Sequence, residues 1–221
     1  NEILAESLSI GLREFQSAFG KIAEEYQMDW FVTDSTVRKK VVILASHASH
    51  CLADILYRWH SEELHCDIAA VIANHDNLRG MVEWHNIPFH HIPVEPGKKP
   101  EHFAQVEALL NQYQAETVVL ARYMQIMPPH LCERYAGNMI NIHHSFLPSF
   151  VGANPYYQAY DRGVKLIGAT CHYVTQNLDR HNKEDLVRLG RDVEKIVLAR
   201  GLRYHLEDRV VIHGNKTVIF D

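Results

Sequence analysis

From residue 41 onward the chain alternates short apolar runs with segments of helical period, and that alternation restricts the folds open to it. Val41-Val42-Ile43-Leu44-Ala45 has no polar position, as a strand covered on both faces requires. The stretches 68–73, 89–94, 117–121, 139–143 and 168–174 read as further strands. Between them 52–59, 78–84, 129–135 and 156–162 read as helices, and Phe103, Val106, Leu109, Leu110 and Tyr113 mark another helical face. Such alternation gives an α/β architecture: a mostly parallel twisted sheet with helices on both faces.

The two flanks read differently. Leu8, Leu12, Phe15, Phe19 and Ile22 recur at helical spacing, and Asp29-Trp30-Phe31-Val32-Thr33 looks like a strand. One helix and one strand bury too little for a core of their own, so this region is expected to be a fragment or to pack on something else, with Arg38-Lys39-Lys40 as a solvated linker. At the other end Asn182 suits a helix N-cap, with Leu186, Leu189, Val193 and Ile196 at helical spacing after it. That helix is expected to run to about His205, and 209–213 and 217–220 then pair around Gly214-Asn215 as a hairpin.

Composition removes several classes of function. The net charge is −5, with no basic block beyond Arg38-Lys39-Lys40 and Lys98-Lys99, so nucleic acid is not an expected partner. No apolar run is long enough to span a bilayer, so no membrane is expected either. The four cysteines form no C-x-x-C pair, and the 16 histidines are scattered, so no metal set is apparent and reduced thiols in a cytoplasmic protein are expected. The chain does not start with Met, no charged-then-apolar signal segment precedes the first helical pattern, and Asn1 is not expected to be the native start.

Polar side chains stand out in Met139-Ile140-Asn141-Ile142-His143-His144-Ser145-Phe146-Leu147-Pro148. Strand side chains alternate, so Asn141 and His143 share one face and Ile140 and Ile142 the other. Ligands of open parallel sheets bind beyond the carboxyl ends of strands. An amide and an imidazole there either hold one small polar substrate group or tether the loop that follows. Met124 and Met127 follow another strand end in Arg122-Tyr-Met-Gln125-Ile126-Met127, as a substrate surface or as core under a loop. His172-Tyr-Val-Thr175-Gln-Asn-Leu-Asp179 ends in a carboxylate, which equally suits a turn.

Taken together, Asn141-Ile-His143-x-Ser145-x-Leu147-Pro148, Gly152 and the strand ending in Leu178-Asp179 resemble the formyltetrahydrofolate-using transformylase family. The Arg122–Gln125 loop, the His143-His144 pair and the helix Arg191-Asp-Val-Glu-Lys-Ile-Val-Leu-Ala-Arg200 are similar to its hydrolytic branch. The resemblance covers about residues 38–221 and implies a formyltransferase-like fold. It makes residues 1–37 a partial ACT-like α+β segment, which implies a small amino-acid effector, and a homo-oligomer is expected because a half-module needs a partner surface. After Asp179 the family continues with Gly-Pro-Ile and another strand; here Arg180-His181-Asn182 follow at once.

The implied reaction is hydrolysis of 10-formyltetrahydrofolate to formate and tetrahydrofolate, with the folate as substrate and no cofactor or metal. Asn141 would donate to the developing oxyanion, His143 would shuttle the proton, and Asp179 would hold the water and stabilise the imidazolium. Met124, Gln125, Ile126, Met127 and Thr175 would lie against the pterin. His144 is secondary. The ribonucleotide-using branch carries a glycine- and serine-rich phosphate loop after the first strand. Here that place reads Ser46-His47-Ala48-Ser49-His50, so water is the expected acceptor. Two rival expectations stay open: formyl transfer to an amine, and a folate or amino-acid sensor without turnover.

Overall fold

In the computed structural model of this chain the described residues are 10–143, 170–173, 189–213 and 216–220. The chain divides into two compact units, Asn1–Val37 and Arg38–Asp221.

In the first unit α1 spans Leu12–Glu25. Phe15 stacks on Phe19 with ring centroids 5.7 Å apart, and Trp30 meets Phe19 edge-on at 5.0 Å. Gln27 sits at φ 51° and closes the helix: its N–H reaches Glu24 O, while that of Met28 reaches Ala23 O. Residues 29–33, expected as a strand, are not one. An extended segment becomes a strand only through a ladder with a neighbour, and this segment has no strand partner among the described residues.

The second unit is built on a six-stranded sheet. Its strands are β1 (Lys39–Ala45), β2 (Cys66–Ala73), β3 (Phe89–His91), β4 (Thr117–Ala121), β5 (Met139–His143) and β6 (Thr170–Tyr173). They lie in the order β3-β2-β1-β4-β5-β6, with the first five parallel and β6 antiparallel on the β5 edge. The helices are α2 (His50–His60), α3 (Arg79–Trp84), α4 (Lys99–Gln112), α5 (Pro129–Arg134) and α6 (Leu189–Leu206). A separate antiparallel hairpin, β7 (Val210–His213) with β8 (Lys216–Ile219), follows α6 as expected.

Strand alternation sorts the core into two layers. Val41, Ile43 and Ala45 pack on α2, α3 and α6 through Leu52, Ile55, Leu56, Val82, Leu198 and Leu202. Val42 and Leu44 pack on α4 and α5 through Phe103, Val106, Leu110 and Leu131. Helices therefore cover both faces, which is why β1 tolerates no polar residue after Lys40.

One helical phase differs from expectation. On α6 the buried stripe is Glu194, Leu198, Leu202 and His205, while Ile196 is exposed and Val193 and Val197 are intermediate. Apolar residues are spread around this helix, so their spacing does not single out one face, and the face that packs on the sheet carries two polar groups. The helix expected at 156–162 lies outside the described residues.

Candidate active site at the carboxyl ends of the central strands

The sheet changes direction between β1 and β4. From β1 the chain winds through β2 to β3 on one side, and β4 and β5 lie on the other. At such a switch point the connections leaving the two strands diverge and open a crevice beyond their carboxyl ends.

Three segments line this edge. β1 ends in Ala45 and the buried Ser46, and residues 47–49 lead into the first turn of α2. The Asn77 side chain donates to His47 O at 3.1 Å, and the His47 ring meets His75 edge-on, which ties this connection to the one after β2. β4 ends in Ala121, and Arg122 then takes φ 60°. A side chain in the left-handed region is uncommon and costs free energy, so the turn is held by what surrounds it.

What holds it is an ion cluster. The Arg122 Nε lies 3.5 Å from Glu194 Oε2, and His50 Nε2 lies 2.8 Å from the same oxygen. The Glu194 side chain is only 5% exposed. One carboxylate from α6 thus joins the turn after β4 to the first turn of α2. Sequence reading missed this cluster. The only signal was a glutamate four residues before Leu198 and eight before Leu202, on what proves to be the buried stripe. No metal set was apparent in the sequence. In space, His50, Cys51 and Glu194 bring donor atoms within 4.8 Å of one another. Arg122 stands against a cation there, because its permanent charge already faces the carboxylate.

Beyond Arg122 the loop alternates buried and exposed side chains. Tyr123 and Met127 are buried in the α4–α5 layer, whereas Met124 and Ile126 are 42% and 54% exposed and Gln125 is intermediate. The Tyr123 phenol shares a buried hydrogen bond with His102 Nε2 on α4. Burial raises the Tyr123 pKa and lowers that of His102, so both are neutral near pH 7 and the pair anchors the loop without charge. The two alternatives for the methionines thus divide: Met127 is core, and Met124 belongs to the exposed surface together with Ile126.

β5 stands beside this loop. Leu120 pairs with Asn141, and His143 continues the strand two residues further, beyond the β4–β5 pairing. Ile140 and Ile142 belong to the α2–α6 layer, so the half-buried Asn141 faces the α4–α5 layer, as alternation predicts. On the other side Asn141 pairs with His172 and His143 with Thr170. The fold brings Asn141, the backbone of His143 and the 122–127 loop to one edge of neighbouring strands. Thr175, Asp179 and His144 lie outside the described residues.

Cys51, Cys66 and Cys132 are buried, and burial pushes the Cys66 thiol up to about 12. No described helix is long and apolar enough to cross a membrane.

The formyl transferase family profile matches residues 39–182. The chain is 44% identical to a formyltetrahydrofolate deformylase of Bacillus subtilis over 229 positions, which cover 96% of this chain and 76% of that protein. The aligned stretch is longer than the 221 residues here, so it passes over positions this chain lacks. Among solved structures, a formyltetrahydrofolate deformylase of Pseudomonas syringae is 61% identical with a TM-score of 0.90, over 98% of this chain and 78% of that one. A phosphoribosylglycinamide formyltransferase of Anaplasma phagocytophilum is more distant, at 26% identity and a TM-score of 0.68 over 81% and 92%. The fold, the family profile and the close relatives agree: this chain belongs to the formyl transferase family, within its formyltetrahydrofolate deformylase branch.

Proposed function

We propose that the carboxyl edge of β1, β4 and β5 hydrolyses 10-formyltetrahydrofolate to formate and tetrahydrofolate. The observation that carries the site is the β4–β5 register. It places Asn141 beside Leu120, one residue before the end of β4 and next to the loop presenting Met124 and Ile126. In this reading water attacks the formyl carbon, the carbon–N10 bond breaks, N10 takes a proton, and formate leaves.

Asn141 donates its amide N–H to the oxygen on which charge develops, a contribution on the order of 10²–10³ in rate. His143 takes the proton from water and returns it to N10. Asp179 orients the water and stabilises the imidazolium. Met124, Gln125 and Ile126 offer the pterin surface, Met127 supports their loop from the core, and Thr175 is assigned to pterin binding with them. These roles use no metal or cofactor. Residues 1–37 are read as part of an ACT-like segment that takes a small amino-acid effector in a cytoplasmic homo-oligomer.

The test is turnover with formyltetrahydrofolate as the only organic substrate. Formate released at full rate without an added amine is the expected result, and dependence on an amine acceptor would replace hydrolysis with transfer. His143→Ala and Asp179→Ala should each cut turnover by about 10²-fold or more with folding preserved. Unchanged turnover in both would remove these residues from the chemistry, and an absence of turnover in the parent chain would favour a sensor.

A further inference from the structure

The cationic corner at the switch point contains a carboxylate of the protein's own. Three independent segments converge there: the first turn of α2, the turn after β4, and the buried face of α6. α2 has 11 residues, and the free N–H groups of its first turn carry partial positive charge. Arg122, at φ 60° in the turn after β4, adds a full charge. Such a corner attracts an external anion. Instead Glu194, 4% exposed, places Oε2 at 2.8 Å from His50 Nε2 and 3.5 Å from Arg122 Nε.

We propose that Glu194 is a specificity-determining residue. Its carboxylate is a resident anion that fills the corner and keeps phosphate-bearing acceptors from the site, which leaves water to take the formyl group. The last clause rests on the hydrolytic reading above. A contrast within the fold supports the idea, since the name of the Anaplasma neighbour specifies an acceptor carrying a ribose phosphate. Two features here oppose such a group. Residues 46–49, Ser-His-Ala-Ser, have no glycine to let backbone amides approach a phosphate closely. The second is the carboxylate itself: a phosphate beside Arg122 would meet a buried like charge that already sits 3.5 Å from the guanidinium.

A metal-ligand role for the same carboxylate predicts something different. His50, Cys51 and Glu194 have the spacing for a soft divalent ion, but Arg122 faces the oxygen such an ion would use. The two roles separate by which probe binds.

The experiment titrates inorganic phosphate, and separately zinc, into the full chain without folate, following heat of binding and thermal shift. Wild-type protein should show no saturable phosphate binding in the range where Glu194→Gln binds at least about tenfold more tightly. Adding Arg122→Gln to Glu194→Gln should abolish that binding. Circular dichroism checks that each variant is folded. Saturable phosphate binding by wild type that is lost in Arg122→Gln would overturn the proposal without any Glu194 variant, because the corner would then be open. A folded Glu194→Gln that binds no phosphate would also overturn it. So would stoichiometric zinc binding by wild type that disappears in Glu194→Gln. Formate release is measured in a separate assay, so failure of the hydrolytic reading leaves the phosphate result to be judged alone.

Discussion

An asparagine inside a covered strand is a liability unless its amide is used, since a buried polar group without partners costs about 1–3 kcal/mol. Asn141 lies in β5 between Leu120 and His172, with apolar Ile140 and Ile142 on the opposite face. The oxyanion role proposed for it requires its N–H donor, not merely its shape. Asn141→Asp keeps the shape and replaces the donor with an acceptor-only carboxylate. It should lower kcat by about 10²–10³ while KM changes much less, because the lost bond is strongest when charge develops. Steady-state formate release from formyltetrahydrofolate measures both constants. A variant that kept its kcat would show that Asn141 only tethers the neighbouring loop. This residue was legible in the sequence because its signal is local: alternation within one strand gives its face. Glu194 was not, because its partners His50 and Arg122 lie on other elements far along the chain, and only the folded sheet joins them.

Elements were legible where their pattern is local and obscure where a partner decides. β4 and β5 have the expected bounds, because an apolar run in β4 and the alternation of faces in β5 are both local strand signals. Residues 29–33 carry strand-forming side chains and form no strand, since propensity without a ladder is insufficient. On α6 the evenly spread apolar residues hid the phase, and with it the burial of His205. That histidine joins α6 to the sheet: its Nε2 lies 2.9 Å from Thr117 Oγ1 on β4, and its carbonyl accepts from Lys39 Nζ. Burial above all, with Lys39 adding to it, pushes the His205 pKa down to about 4. In the unfolded chain its pKa returns to about 6.5. Between these values the unfolded state binds the extra proton, so stability falls as pH falls. The contribution is fully present above about pH 6.5 and is lost progressively toward pH 4, reaching about 2 kcal/mol at pH 5. Urea unfolding at pH 7.5 and pH 5 should show this loss in wild type. In His205→Gln, which keeps a polar partner for Thr117 but does not titrate, the pH difference should shrink by that amount. An unchanged difference would place the acid sensitivity elsewhere.

For the whole molecule, the alternation of strands and helices was enough for the α/β class and for helices on both faces. Strand order was not legible, because a parallel strand meets its neighbour through a crossover and leaves no mark of adjacency in its own residues. The reversal between β1 and β4, which creates the crevice, and the antiparallel seat of β6 beside β5 are therefore properties of the assembled sheet. That sheet also divides the core into two layers that share no side chains. Leu56 belongs to the α2–α3–α6 layer and Leu110 to the α4–α5 layer, each fully buried. Leu→Ala at either position should cost about 2–5 kcal/mol. With strand backbones between them, the two losses should add to within about 0.5 kcal/mol in the double variant. Leu202 shares the layer of Leu56, where α2 and α6 pack on each other. Leu56→Ala with Leu202→Ala should then depart from additivity by about 0.5–3 kcal/mol, because the two cavities can relax into one another. Urea unfolding of the single and double variants measures both cycles. Equal coupling in the two pairs would mean that the sheet transmits packing strain between its faces instead of separating them.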